Sequence, residues 1–324
     1  MTPDSRTAVT GARGFIGSAV VRASDETLRL LLRAPHLSTP QPHSVVVGDI
    51  QDRDAVAVLL EGVKTVIHCA NYIGPDEERA RNVNDEGTRR LVDAAVRAGV
   101  ERILYVSTTG VYGTEARALA AEHTPVDPRS FTSATRLRAE GHVLSAGGVV
   151  VRPHLVFGLG DRRVLPALVR AVDVMGGLPR PEPATSVISV RSLAAQVWWI
   201  VRRPGLVGVV HPDHGDPVAL GDILRMTGLW SHREGGEAVC DPATAARLLA
   251  DAGFSAHQRE MILHDSVFRS RIAAQQPPRF PFDEADVAWY RELLGTSARG
   301  SESFREGGAP VPGVLPGSRA GRTG

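Results

Sequence analysis

Two groups of residues in this 324-residue chain have types and spacings that chemistry could use. The first is Thr10-Gly11-Ala12-Arg13-Gly14-Phe15-Ile16-Gly17, between a short apolar run and a helix-like stretch. Its glycines permit a tight turn and close backbone approach, so the following helix can receive a pyrophosphate at its N-terminus. The second group is Thr108, Thr132 and Arg136. The four-residue step from 132 to 136 puts those side chains on one helix face. Arg136 can donate to hydroxyls, but it stays charged and relays no proton. Thr132 is a poor acid, because an aliphatic hydroxyl ionises far less readily than a phenol of pKa about 10.

The ribose specificity follows from what stands after the second apolar run. A dinucleotide fold that takes NAD usually has Asp or Glu there to hold the 2′-hydroxyl. This chain reads Leu30-Leu31-Leu32-Arg33, and Arg13 lies inside the glycine loop. Two guanidiniums suit a 2′-phosphate, since planar donors pair with phosphate oxygens, and NADPH is expected over NADH. Asp49-Ile50 is placed for the adenine edge, and Cys69-Ala70-Asn71 ends a strand where small residues let the backbone pass close to a cofactor.

These residues are positioned by alternating elements. Strands are predicted at Arg6–Thr10, Leu28–Leu32, Ser44–Val47, Thr65–His68, Arg102–Ser107 and Val149–Arg152. Helices are predicted at Phe15–Ala23, Asp52–Leu60, Asp85–Ala98 and Thr132–Leu144. Such alternation, with β-branched strands, predicts an α/β fold: a Rossmann-like, doubly wound parallel sheet. A Rossmann domain is expected over residues 1–173, joined by a late strand near 207–211. A smaller, mostly helical substrate lobe is expected over 174–295, with helices near Asp241–Asp251 and Ala256–Leu263. The Gly-, Ser-, Pro- and Arg-rich stretch 296–324 is expected to be a disordered tail.

Composition narrows the function classes. A formal net charge of +1 gives no reason to expect nucleic acid or membrane binding. Lys64 is the only lysine among 37 basic residues, so arginine count alone carries no signal. Cys69 and Cys240 are too few for a disulfide framework. No apolar run approaches the ~18 residues that span a bilayer, and Ala8-Val9 already reads as a strand. A cytoplasmic protein is expected. His211-Pro212-Asp213-His214-Gly215-Asp216 collects metal-ligating types, but the spacing has no convincing ligand geometry and no metal is expected.

The chain resembles the extended short-chain dehydrogenase/reductases, the NAD(P)-dependent epimerase/dehydratase group, over roughly residues 6–215. The matching segments are the TGARGFIG loop, Gly48-Asp49-Ile50, His68-Cys-Ala-Asn71, Asn84-Asp-Glu-Gly87-Thr88, Ser107-Thr108-Thr-Gly-Val-Tyr112-Gly113 and Arg152-Pro153 with Gly158-Leu-Gly160. The resemblance implies hydride transfer at the carboxyl edge of a parallel sheet. It assigns Gly11, Arg13, Gly14, Phe15, Ile16, Gly17, Arg33, Asp49, Ile50, Ala70, Arg136 and Pro153 to the cofactor, and Thr108 to the substrate carbonyl. Homodimers, common in the group, would pair the helices near Asp85–Ala98 and Thr132–Leu144.

Where the sequence departs from that pattern, the chemistry is at stake. Members carry a tyrosine acid and, four residues on, a lysine. Here the segment aligned through Arg136-Leu-Arg-Ala-Glu140 has Thr132 at the tyrosine position, and no tyrosine in the chain has a lysine four residues on. Tyr112 is a tempting substitute acid, although members keep it beside their own catalytic tyrosine. Leu155 stands where sugar-nucleotide enzymes have a polar contact, and with His154 and Tyr112 it forms the expected substrate wall. An intact cofactor loop, a retained Thr108 and a missing acid predict an NADPH-dependent ketoreductase of a small aromatic or polyketide ketone, whose own neighbouring phenol stabilises the alkoxide. The alternatives are a regulatory protein that binds NADP(H) without turnover, and a nucleotide-sugar ketoreductase or epimerase.

Overall fold

The computed structural model describes residues 6–35, 42–113, 119–227, 239–275 and 282–297. The remaining residues, including most of the expected tail, lie outside the described residues.

Seven parallel strands form the central sheet. In chain order they begin with β1 (Thr7–Thr10), β2 (Arg29–Leu32), β3 (Ser44–Val47), β4 (Thr65–His68), β5 (Arg102–Val106) and β6 (Val149–Val151). Four short strands intervene before the next strand of the sheet, the first three being β7 (Leu155–Phe157), β8 (Leu178–Pro179) and β9 (Ala184–Thr185). β10 (Val187–Ser189) pairs with β7, and β11 (Gly208–Val210) rejoins the main sheet beside β6. The spatial order is β11-β6-β5-β4-β1-β2-β3, so the chain reverses direction between β1 and β4. Ligands of open α/β sheets bind at that switch point, outside the carboxyl ends of the strands.

Strand side chains alternate between two cores. Val9, Leu30, Leu104 and Val151 pack on one face, while Ala8, Leu31, Tyr105 and Val150 pack on the other. The period-two step is the strand's own geometry, and because helices cover both faces the strands read as continuous apolar runs. The edge strand β3 is the exception, half exposed along its length.

The helices α1 (Phe15–Arg22), α2 (Arg53–Leu60), α3 (Glu77–Ala80), α4 (Thr88–Arg97) and α5 (Phe131–Ser145) follow the first five strands. The π-helical turn Arg81–Gly87 joins α3 to α4, so the chain turns helical well before the predicted start at Asp85. α6 (Val164–Met175) opens the lobe. α7 (Val190–Val201) lies inside the interval given to that lobe, yet it packs on α1, with Trp198 Nε1 donating to Val20 O at 2.9 Å. The lobe has its own core, in which Leu155, Phe157, Leu165, Leu178 and Tyr290 meet. No helix among the described residues is long and apolar enough to cross a membrane.

Candidate active site

Most helix starts in this chain carry a side-chain cap. Asp52 accepts from Asp54 N and Ala55 N, Ser130 accepts from Ser133 N, and Ser255 forms a capping box with Gln258. α1, like α4 and α6, has no N-cap side-chain hydrogen bond: Gly14 precedes it with no side chain to give, and no acidic residue stands in its first turn. Its N–H groups and positive dipole end therefore remain for an outside anion. Gly11 has φ +71°, and a Cβ there would lie 2.5 Å from Ala70 N and Cys69 C. Only glycine allows β1 and β4 to open this close to one another. Gly17 could not carry a Cβ either, because Gly11 O occupies the space. Phe15 lies under Gly160, and Ile16 packs into the sheet core.

The remaining expected cofactor residues ring this cleft. Arg13 and Arg33 are exposed, and neither pairs with a described carboxylate. Asp49 Oδ1 accepts from Gln51 N at 3.1 Å, while Ile50 is buried beneath it. Ala70 lies against Gly11, and Pro153 O accepts from Thr109 N at 3.1 Å. Half-buried Cys69 has its thiol pushed up to about 12, chiefly by desolvation, so it stays protonated and inert.

Thr108 caps the short helical turn Thr109–Tyr112 and accepts from Gly110 N at 3.1 Å. That contact uses a lone pair and leaves the hydroxyl proton available to a substrate oxygen. Arg136 extends from α5 beneath the end of β5, where its Nη2 donates to Val106 O at 3.0 Å. The residue is 8% exposed, and its Nε is buried with no hydrogen-bond partner. A buried donor without an acceptor costs about 1–3 kcal/mol, so this guanidinium keeps an unmet hydrogen-bonding demand. Thr132, one turn earlier and half-buried, has its carbonyl engaged by Thr135 Oγ1 at 2.9 Å.

The expected substrate wall is held from behind. Tyr112 is buried, and its hydroxyl donates to His211 Nε2 at 2.7 Å. The direction follows from His211 Nδ1, which donates to Arg269 O. Desolvation raises the Tyr112 phenol, so it is a worse acid than free tyrosine. His154 Nδ1 meets Thr109 Oγ1 at 2.7 Å, and its ring stacks obliquely on Phe268, 4.6 Å between centroids. Leu155 is buried in the lobe core. His214 Nε2 accepts from His154 N, so the histidine cluster near 211–214 is bound into protein contacts.

Several residues that matter here had been given no role of their own. Glu140 accepts from Ser107 Oγ and forms a bidentate pair with Arg152, both almost fully buried. Arg152 in turn lies over the Tyr112 ring. Tyr290, far along the chain, accepts from Gly158 N and donates to Asp161 Oδ2, both at 2.8 Å, fixing the loop that rests on Phe15. Tyr105 donates to Asn71 Oδ1 at 2.6 Å. One signal for Tyr105 was present: a phenol inside an aliphatic strand must find a polar partner.

A switch-point cleft with an uncapped helix N-terminus and a backbone-tight glycine turn is the geometry of the dinucleotide-binding class of α/β folds. The chain matches the NAD dependent epimerase/dehydratase family over residues 7–193 and belongs to it. It is 33% identical over 189 residues to a 3 beta-hydroxysteroid dehydrogenase/Delta 5-->4-isomerase of Mycobacterium tuberculosis, covering 52% of this chain and 51% of that protein. It is 30% identical over 187 residues to the 4-hydroxy-2-methyl-3-oxo-4-farnesyl-3,4-dihydroquinoline-1-oxide ketoreductase of Stigmatella aurantiaca, covering 52% and 55% respectively. The chain thus matches these two relatives over about half their length. In fold it is similar to the Bordetella bronchiseptica enzyme WbmH in complex with NAD+, with a TM-score of 0.71 at 19% identity, covering 89% of this chain and 99% of that one.

Proposed function

We propose that this protein is an NADPH-dependent ketoreductase that reduces a ring ketone of an aromatic polyketide to an alcohol. The proposed substrate is of the angucyclinone type met in antibiotic biosynthesis, as in the simocyclinone pathway that the sequence resembles. The observation that carries the reading is a division of labour among hydroxyls. Thr108 keeps a proton free, while the phenols of Tyr105 and Tyr112 are committed to Asn71 and His211. One relative's name is that of a ring ketoreductase and another's that of a hydroxysteroid dehydrogenase, which supports carbonyl chemistry on a ring compound.

Residues of the cleft would hold a reduced nicotinamide cofactor, whose chemistry there would be to supply hydride for the carbonyl carbon. The chain's residues do the rest. The N–H groups at the start of α1 bind the pyrophosphate, and Arg13 and Arg33 bind the 2′-phosphate, which favours NADPH over NADH. Arg136 Nε donates to a ribose hydroxyl. Thr108 donates a hydrogen bond to the carbonyl oxygen as negative charge builds there. Thr132 occupies the place of an acid without the acidity for it, so a phenol adjacent to the ketone on the substrate shares the developing charge. Solvent then returns the proton.

The test compares a phenol-flanked polyketide ketone with its methyl ether, following loss of the nicotinamide absorbance. Oxidation with the free phenol alone supports substrate assistance. Equal rates would refute it and shift the acid's role to a protein group. Cofactor binding without oxidation of either compound would favour a regulatory NADP(H)-binding protein. Turnover only of a nucleotide-linked sugar would favour the epimerase-type reading.

A further inference from the structure

We propose that Asp286, Trp289 and Tyr290 are positioning residues that hold the loop of residues 158–163 closed across the dinucleotide cleft. The helix that carries them, Glu284–Ser297, then sets how long the cofactor stays bound. The inference rests on the cofactor reading above and deepens it. The loop follows β7, beyond the carboxyl end of β6, and reaches both banks of the switch point between β1 and β4. On the β1 bank Gly160 lies on Phe15, so close that a Cβ there would stand 3.3 Å from the ring. On the β4 bank Arg163 Nη2 donates to Ile73 O at 3.1 Å. Phe15 opens the helix whose N-terminus is left for the pyrophosphate, and Ile73 lies in the segment leaving β4. A segment tied to both banks roofs the space between them, and a cofactor lying there leaves only when a tie opens.

The loop is poorly equipped to hold this shape alone. Gly158 and Gly160 have φ +119° and +101°, and glycine visits that region as freely as it visits others. What fixes the loop is one distant helix. Gly158 N donates to Tyr290 Oη at 2.8 Å, Leu159 N to Asp286 Oδ1 at 2.7 Å, and Trp289 Nε1 to Asp161 O at 2.8 Å. Tyr290 gives its own proton to Asp161 Oδ2 at 2.8 Å. The same carboxylate accepts from the N–H groups of Arg163, Val164 and Leu165 at the start of α6. Asp161 therefore fastens the loop to α6, and Tyr290 fastens Asp161 to the helix Glu284–Ser297.

These bonds are sealed from water. Asp161, Asp286 and Tyr290 are all buried, where a hydrogen bond is stronger and its loss leaves an unmet group. The Tyr290 ring packs in the lobe core with Phe157 and Leu165. The roof of the cofactor cleft is thus built from the lobe, by residues more than a hundred positions along the chain from the loop they hold.

The test is stopped-flow dissociation of NADPH from the full chain, followed by nicotinamide fluorescence. Tyr290→Phe strands Gly158 N and releases Asp161, and is expected to raise the dissociation rate about tenfold with little change in association. Arg163→Met unties the opposite end at Ile73 from an exposed position; it is expected to raise the rate about threefold at unchanged Tm, and serves if Tyr290→Phe does not fold. The double variant should fall short of the product of the two, because both open one loop. Leu249→Val, on another helix of the same lobe core, controls for plain loss of stability and should leave the rate within about twofold. An unchanged rate in either loop variant, an equal rise in Leu249→Val, or a fully multiplicative double variant would overturn the proposal. Failure of the unsubstituted protein to bind NADPH would instead overturn the cofactor reading itself.

Discussion

Thr108→Val separates the two jobs of one hydroxyl. Valine keeps the branched shape of threonine, so packing around the turn Thr109–Tyr112 changes little. It removes the acceptor for Gly110 N, a 3.1 Å contact at a half-buried position. The stability cost of that loss is about 1 kcal/mol, or roughly 2–4 °C in Tm for a domain this large. It also removes a hydroxyl proton that is not donated within the protein. If that proton stabilises the developing alkoxide, kcat falls by roughly 100- to 1000-fold, the range seen when one such donor is deleted. KM for the ketone should change by less than about threefold, because the hydrogen bond strengthens in the transition state. Thr108→Ser keeps both roles and should recover most of the rate. The assay is steady-state ketone reduction with NADPH affinity measured in the same preparations. A Thr108→Val protein with unchanged kcat, or one whose lost rate is matched by lost NADPH affinity, would refute the assignment.

Three further outcomes are expected. Arg33→Ala should weaken NADPH about tenfold at low salt while leaving NADH unchanged, since the guanidinium is exposed and its role is to meet a 2′-phosphate; equal effects on both cofactors would remove the NADPH preference. Glu140→Gln should lower stability by about 3 kcal/mol, or roughly 6–12 °C in Tm, because it strands the buried Arg152 charge; denaturant unfolding checks this, and a shift below about 2 °C would mean the pair is not sealed from water. His68 and His214 are both held down to about 3 by desolvation, against an ordinary value of 6.5. Both are neutral in the folded protein and gain protons on unfolding once the pH drops below about 6.5, so their contribution is complete above that pH and is lost as the pH falls towards 3. Each costs up to about 1.4 kcal/mol per pH unit once the pH is well below 6.5, giving a fall of about 3 kcal/mol between pH 6.5 and 5 in urea unfolding. Flat stability over that interval would show that the rings are not buried neutral.

The sheet was legible because its signal is local. β1, β3 and β4 end within a residue of the limits expected from Arg6–Thr10, Ser44–Val47 and Thr65–His68, since a short run of buried β-branched residues between helices reads one way. The glycine loop was legible for a related reason: only glycine tolerates φ +71° with another backbone 2.5 Å from where a Cβ would sit. α7 was not legible as a partner of the sheet. Its all-round apolar sequence marks burial without saying against what, and the packing of Trp198 on α1 joins residues 178 positions apart. The π-helical turn escaped too, because its cause is tertiary: Asn84 is drawn to the backbone of Tyr72 and to Thr135.

By itself, then, the sequence determined the alternation of strands and helices, the anion-binding turn and the absence of a tyrosine–lysine pair. Each of these depends on neighbours within a few positions. The tertiary structure alone decided which hydroxyls still have a proton to give. Tyr112 meets a histidine 99 residues away and Tyr105 an asparagine 34 residues away, while Thr108 accepts from its own turn. A hydrogen-bond donor can serve only one strong acceptor at a time. Which acceptor that is depends on long-range packing, and spacing along the chain does not encode it.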